Sequence, residues 1–132
     1  MARSEHQPTA AELSILRCLW RRSPATIREI TDTLYPDGGH SHYATVQSLL
    51  DRLEGKGHVS RKRSGRVNVF EPTVSRSELI VHRLRDTAES LCNGSLAPLL
   101  THLVQGVELE EHEAQALEAL VERLDSEPGE QP

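Results

Sequence analysis

The sequence predicts a mainly α chain with one small β-hairpin, and three observations predict it. Apolar residues recur at helical spacing in six separate stretches. A single pair of short β-prone segments flanks Ser64-Gly65. Capping residues, glycines and prolines fall where those elements must start and stop.

Taken in order, Thr9-Ala10-Ala11-Glu12 has the spacing of a capping box, in which hydroxyl and carboxylate satisfy two backbone donors reciprocally. Behind it Leu13, Leu16, Leu19 and Trp20, with Ile15 on a flank, form the apolar face of a helix over about residues 10–22. Pro24 breaks the chain, and Thr26-Ile27-Arg28-Glu29 repeats the box before a short second helix carrying Ile30, Thr33 and Leu34. Tyr35-Pro36-Asp37-Gly38-Gly39 is a turn.

The next helix, over 42–57, is the one the chain is built around. Val46, Leu49, Leu50 and Leu53 lie at i, i+3, i+4 and i+7 and form one stripe, which must face a core. The opposite side carries Ala44, Thr45, Gln47, Ser48, Asp51 and Arg52. Its N-terminal part is short, polar and largely uncharged, which permits close approach to a surface while offering hydrogen bonds, as the major groove of DNA requires.

Gly57 is placed to be a left-handed C-cap, and His58–Arg63 then reads as a strand ending in three cations. The chain turns at Ser64-Gly65, Arg66–Glu71 returns with period-two alternation, and Pro72 stops it. A helix followed at once by a basic-tipped hairpin is the pattern of a recognition helix and wing. Residues 1–74 are therefore expected to form a winged helix-turn-helix DNA-binding domain.

Ser75-Arg76-Ser77-Glu78 is a third capping box. It opens a helix with Leu79, Ile80, Leu84, Ala88 and Leu91 that ends near Asn93-Gly94. Leu96, Leu99, Leu100, Leu103 and Val104 mark a fifth helix bounded by Gly106, and Leu117, Leu120, Val121 and Leu124 a sixth. About 50 residues of leucine-striped helix are too few to bury their own apolar faces. Residues 75–125 are thus expected to be a helical dimerisation domain that makes the protein a homodimer, and 126–132 a disordered polar tail.

Charge divides the same way. The net of −5 over 132 residues hides an asymmetry: residues 1–71 hold eleven Lys and Arg against eight acids, a net of +3, and residues 72–132 hold four against twelve, a net of −8. The first part suits phosphate and the second avoids it. The N-terminus lacks the apolar core of a secretory signal, and 18 uncharged apolar residues never occur together, so the expectation is a cytoplasmic protein without membrane insertion. Cys18 and Cys92 stand far apart and predict neither a zinc site nor a disulfide framework.

The residues expected at the DNA are Ala44, Thr45, Gln47, Ser48 and Arg52 on the helix and Arg61, Lys62, Arg63 and Arg66 on the hairpin. Gln47 has the geometry to pair with adenine, and Thr45 or Ala44 to touch a thymine methyl, which favours an A/T-containing half-site. Arg52 either meets phosphate or pairs with a neighbouring acid, and Asp51, which phosphate would repel, is expected to pair with an arginine. Tyr43 is placed toward the core side, free either to pack or to bond phosphate, and Trp20 is assigned to the core. No nucleophile elbow, phosphate loop, His-Glu-x-x-His or paired carboxylates occur, so the chain is read as no enzyme, with no catalytic residue, no cofactor and no metal site. Two alternatives stay open: a winged-helix module that binds protein through the same surface, and a repressor tuned by metal at His40-Ser41-His42.

Three stretches together carry a resemblance: Pro8-Thr9-Ala10-Ala11-Glu12-Leu13 with Leu19-Trp20; Thr45-Val46-Gln47-Ser48-Leu49-Leu50-Asp51-Arg52-Leu53 with Lys56-Gly57; and Val69-Phe70-Glu71-Pro72 with Val74-Ser75-Arg76. They resemble the penicillinase-repressor family (BlaI/MecI type, with the copper-responsive CopY relatives), and the likeness runs from about Thr9 to Leu124. It implies a dimeric transcriptional repressor on inverted-repeat operator DNA, released in the best-known members when a membrane-bound protease sensor cuts it. CopY relatives end in paired Cys-x-Cys motifs, and no cysteine follows Cys92, which argues against a thiolate copper switch. No cleavage-site sequence is evident either, so whether a protease or a small-molecule signal releases the protein is left open by the residues.

Overall fold

The structure is a computed structural model that describes residues 7–106 and 108–126. Its elements are α1 (Ala10–Arg21), α2 (Ile27–Leu34), α3 (His40–Gly55), β1 (Val59–Ser64), β2 (Val67–Pro72), α4 (Arg76–Leu91), α5 (Ala97–Gln105) and α6 (Glu111–Ser126). Six helices and one two-stranded antiparallel hairpin among the described residues match the fold class read from the sequence. The N-terminal stretch through residue 6, and the tail beyond Ser126 expected to be disordered, lie outside the described residues.

Local chemistry sets the element ends. Thr9 and Glu12, and Thr26 and Glu29, close both bonds of their capping boxes. Ser75 and Glu78 do the same at the head of α4. α3 starts at His40, two residues ahead of the sequence reading, behind Gly39, so His40-Ser41-His42 forms its first turn rather than preceding it. At its other end Gly57 takes φ +82°, the left-handed conformation that a side chain disfavours. There the His58 N–H donates to the Leu53 carbonyl at 2.9 Å and the Gly57 N–H to that of Glu54 at 3.0 Å, the paired bonds of a Schellman cap. This cap aims the chain straight into β1.

The hairpin pairs Val59 with Pro72 at its root and Ser64 with Val67 at its tip, around a two-residue turn at Gly65-Arg66, one residue later than expected. A short bridge anchors the root. Ala25, in the loop between α1 and α2, exchanges both backbone hydrogen bonds with Phe70, at 2.8 and 3.1 Å. A single bridging residue has no periodicity, so no pattern in the sequence announces it.

The chain divides into two compact units, the first through Thr87 and the second from Ala88. The core of the first combines Ile15, Leu16 and Leu19 of α1, Ile30 of α2, the predicted stripe of α3, Val59, Phe70 and Leu79. Ile15, expected on a flank, is fully buried, whereas Leu13 is only half-buried. The reason is that α1 packs against α2, α3 and β2 at once, so its buried arc is wider than one stripe. Trp20 packs against this core and donates its indole N–H to the Val74 carbonyl at 2.8 Å, which ties α1 to the segment between wing and α4.

In the second unit α4 ends where Asn93 and Gly94 take positive φ and the Cys92 and Gly94 N–H groups both reach the Ala88 carbonyl at 2.8 Å. α5 buries none of its residues, and Leu96, Leu100, Leu103 and Val104 there, like Leu120 and Val121 of α6, stand 38–55% exposed. Cys18 and Cys92 are free thiols. No helix among the described residues is long and apolar enough to cross a membrane.

Phe70 is 1% exposed and fastens the hairpin to the helices. Phe70→Ala is expected to cost about 3–5 kcal/mol in urea unfolding, through the burial it forfeits plus the cavity it leaves.

Candidate nucleic-acid interface

Rotation of α3 about its axis follows from its buried stripe. With Val46, Leu50 and Leu53 at 0% exposure and Leu49 at 8%, the other side is left in water, and Ala44, Thr45, Gln47, Ser48 and Arg52 are all exposed there. Ala44, Thr45, Ser48 and Arg52, with the edge of Leu49, line one shallow open groove of about 330 Å³, and Gln47 stands beside it. The Thr45 hydroxyl donates to the Ser41 carbonyl at 2.9 Å, so its oxygen faces any ligand as an acceptor. Nothing on this face before Asp51 is charged.

The two acids further along α3 are neutralised by the wing. Arg61 of β1 donates to Asp51 at 2.9 Å and to Glu54 at 2.8 Å. The hydrogen bond to Glu54, with that to Asp51 behind it, raises the guanidinium pKa further above its ordinary value. The same guanidinium lies 5.1 Å from the centre of the Phe70 ring. Asp51 thus pairs with an arginine, as read from the sequence. Arg61 accordingly braces the hairpin against α3, and Lys62, Arg63 and Arg66 are left as the exposed cations of the wing. Strand alternation puts Arg63 on the Arg61 face, nearer α3, and Lys62 on the other. Arg52 is exposed and makes no ion pair among the described residues; its charge also favours the ionised form of Glu12.

Contacts at the head of α3 escaped the sequence reading. The His42 ring stacks on Tyr35 with centroids 4.1 Å apart and planes within 5°, which fastens the first turn of α3 to the end of α2. Tyr43 is 37% exposed rather than core-facing, and the Arg28 guanidinium lies 5.7 Å from its ring centre. Arg28 is exposed on α2, and its contact with Tyr43 sets a cation near the head of α3. Only its helical phase could have revealed it. Among the described residues no group of three or more His, Cys, Asp or Glu is disposed to hold a metal ion.

The tail of α3 is held by a salt bridge. Lys56 Nζ lies 2.6 Å from Glu12 Oε1, with Glu12 1% and Lys56 21% exposed by side chain, and also donates to the Gln7 carbonyl at 3.0 Å. Burial pushes the Glu12 carboxyl up, but the hydrogen bonds from Lys56 and the Thr9 N–H and the charges of Lys56 and Arg52 outweigh it, and its pKa falls below the ordinary 4.5. Glu12 is both a capping residue and the anchor of α3 on α1. The capping role is legible in four adjacent letters; the second joins residues 44 apart.

A family model described as "Penicillinase repressor" matches residues 8–123. The chain belongs to the penicillinase repressor family. Among relatives of this repressor, the penicillinase repressor of Bacillus licheniformis is 26% identical over 116 residues, 88% of this chain and 90% of that one. The transcriptional regulator BlaI of Mycobacterium tuberculosis (strain ATCC 25618 / H37Rv) is 30% identical over 123 residues, 92% of this chain and 87% of that one. A solution structure of the DNA binding domain of the repressor BlaI aligns with a TM-score of 0.46 and 30% identity, covering 53% of this chain and 84% of that one. As a member of this family the protein is a transcriptional regulator and not an enzyme.

Because the folded Glu12 pKa is depressed, the stability it contributes is present above 4.5 and is lost as pH falls from there through the folded value. Lys56→Ala should leave a buried carboxylate without its partner. It is expected to cost roughly 2–4 kcal/mol at pH 7, toward the low end for buried pairs because Lys56 is partly in water. Urea unfolding at pH 7 and pH 4 checks this: the gap between variant and parent must narrow at the lower pH.

Proposed function

We propose that this repressor binds operator DNA as a homodimer, each protomer laying the head of α3 in the major groove while its wing grips the flanking backbone. One observation carries the reading: an exposed, uncharged polar face on α3 stands beside three wing cations that make no ion pair among the described residues, while the nearest acids are tied up by Arg61. Thr45, Gln47 and Ser48 read base edges, with Ala44 allowing close approach, and Lys62, Arg63, Arg66, Arg52 and Arg28 meet phosphates. Arg61 acts through its brace, setting where the wing lies.

The dimer rests on the second unit. Leu100 and Val104, one turn apart and each more than half exposed, are the surface a lone chain would not leave in water, and a second copy of the same helices covers it. Residues 1–74 are the DNA-binding domain in this reading and 75–125 the dimerisation domain, the head of α4 through Thr87 packing with the first unit, whose core takes in Leu79. A two-fold dimer calls for an inverted repeat with half-sites about one helical turn, or a multiple, apart. Such a protein works where the chromosome lies, in the cytoplasm.

A shift assay across salt, using sites enriched from genomic fragments, tests the DNA reading. Arg63→Ala should weaken binding to every sequence about evenly and flatten the slope of log affinity against log salt by about 0.9 for each phosphate it ceases to neutralise. Gln47→Ala should instead lose about 1–3 kcal/mol of discrimination at one base pair per half-site. If both variants act alike on every sequence, the reading face is misassigned. For the dimer, Leu100→Asp with Val104→Asp should convert the sedimenting species to monomer and preserve the circular dichroism of the first unit; an unchanged mass counts against this interface.

A further inference from the structure

The first unit contains a groove that DNA recognition does not use. It is a cavity of about 540 Å³ between α1 and the first three turns of α4, and its floor is apolar: Leu13 and Trp20 from one side, Ile80 and Leu84 from the other. Ile80 and Leu84 are 51% and 46% exposed, so this floor is open to water. The volume falls within the range of small-molecule sites, roughly 300–1,000 Å³.

The rim is cationic. Arg17 and Arg21 of α1 and Arg76 and Arg83 of α4 line it, no acid joins them, and none of the four forms an ion pair among the described residues. Arg83 is steadied by neutral acceptors, the Gln7 side-chain oxygen at 3.1 Å and the Pro8 carbonyl at 3.0 Å, and the Asp86 carboxylate, held by the same Gln7 amide, lies beside it outside the groove, so Arg17, Arg21 and Arg76 supply the larger share of the positive rim. In a chain of net charge −5, four like charges around one apolar trough make it favour an anion over a cation. Arginine supplies forked donors suited to a carboxylate, and the floor offers indole and aliphatic surface to an apolar body.

We propose that this groove is a binding site for a small amphipathic carboxylate, its acid group held by the arginine rim and its hydrocarbon body laid along Trp20 and Leu84. The ligand wedges beside the bond from Trp20 to the Val74 carbonyl, at the point where the wing's second strand leads into α4. The site is thereby a candidate for the signal that the sequence leaves open.

Trp20 is the sole tryptophan of the chain, so all tryptophan emission comes from a wall of this groove. The full-length protein is titrated, without DNA, with decanoate, and separately with decyltrimethylammonium, which has the same chain and the opposite charge. Decanoate should shift Trp20 emission saturably at one molecule per chain, and the cation should not. The double variant Arg17→Ala with Arg21→Ala should weaken decanoate by on the order of tenfold or more while thermal unfolding stays unchanged. Leu84→Gln should weaken it independently of charge.

Equal binding of cation and anion, or decanoate binding indifferent to the arginines, overturns the proposal. So does a Trp20 signal that ignores decanoate and moves only with protein dilution, which would make a second copy the occupant. None of these readouts involves operator DNA, so the site and the DNA-binding reading can fail separately.

Discussion

Everything on the reading surface depends on the rotation of α3 about its own axis. A helix turns about 100° per residue, so a slip of one position would bring Val46 or Leu49 to points now held by uncharged polar groups. Four aliphatic side chains set the angle, and fastenings at either end keep it: the His42 ring on Tyr35 at the head, and Lys56 on Glu12 at the tail. The ion pair matters less for energy than for direction, since a buried charge pair is a poor source of net stability and a strict geometric constraint.

The electrostatics of the surface are arranged by subtraction. α3 carries two acids on its solvent side, and both would face an approaching phosphate. Arg61 removes them by reaching across from β1, which leaves the remaining wing cations to act undiluted. One arginine of the basic cluster thus shapes the field that the others present, and counting cations in the sequence overstates by one how many are free for phosphate.

Much of this was legible in the residues themselves. Three capping boxes, the stripe of α3, the left-handed glycine after it and the paired strands are local patterns with fixed spacing, and local patterns survive tertiary context. The pairing of Asp51 with an arginine was legible too, because an acid on a DNA-facing helix needs a partner. What escaped were contacts between residues far apart in the chain: the Ala25–Phe70 bridge, the Glu12–Lys56 pair and the packing of Arg28 on Tyr43. Ile15 was misplaced for a related reason, since a single helical stripe describes contact with one neighbour and α1 meets three; Tyr43, expected toward the core, lies outside the buried stripe and meets Arg28 instead.

The bridge at Phe70 gives the hairpin the mechanics of a cantilever. Its root is clamped by two backbone bonds to Ala25, a buried ring and the Arg61 fork, and its far end at Gly65-Arg66 has no such support among the described residues. Deflection of such a beam grows toward the free end, so on the proposed reading the outermost cation tolerates a phosphate displaced from its ideal position, while those nearer the clamp demand a narrow path of the backbone. The same reading has a duplex whose backbone already follows that path favoured without any base being touched.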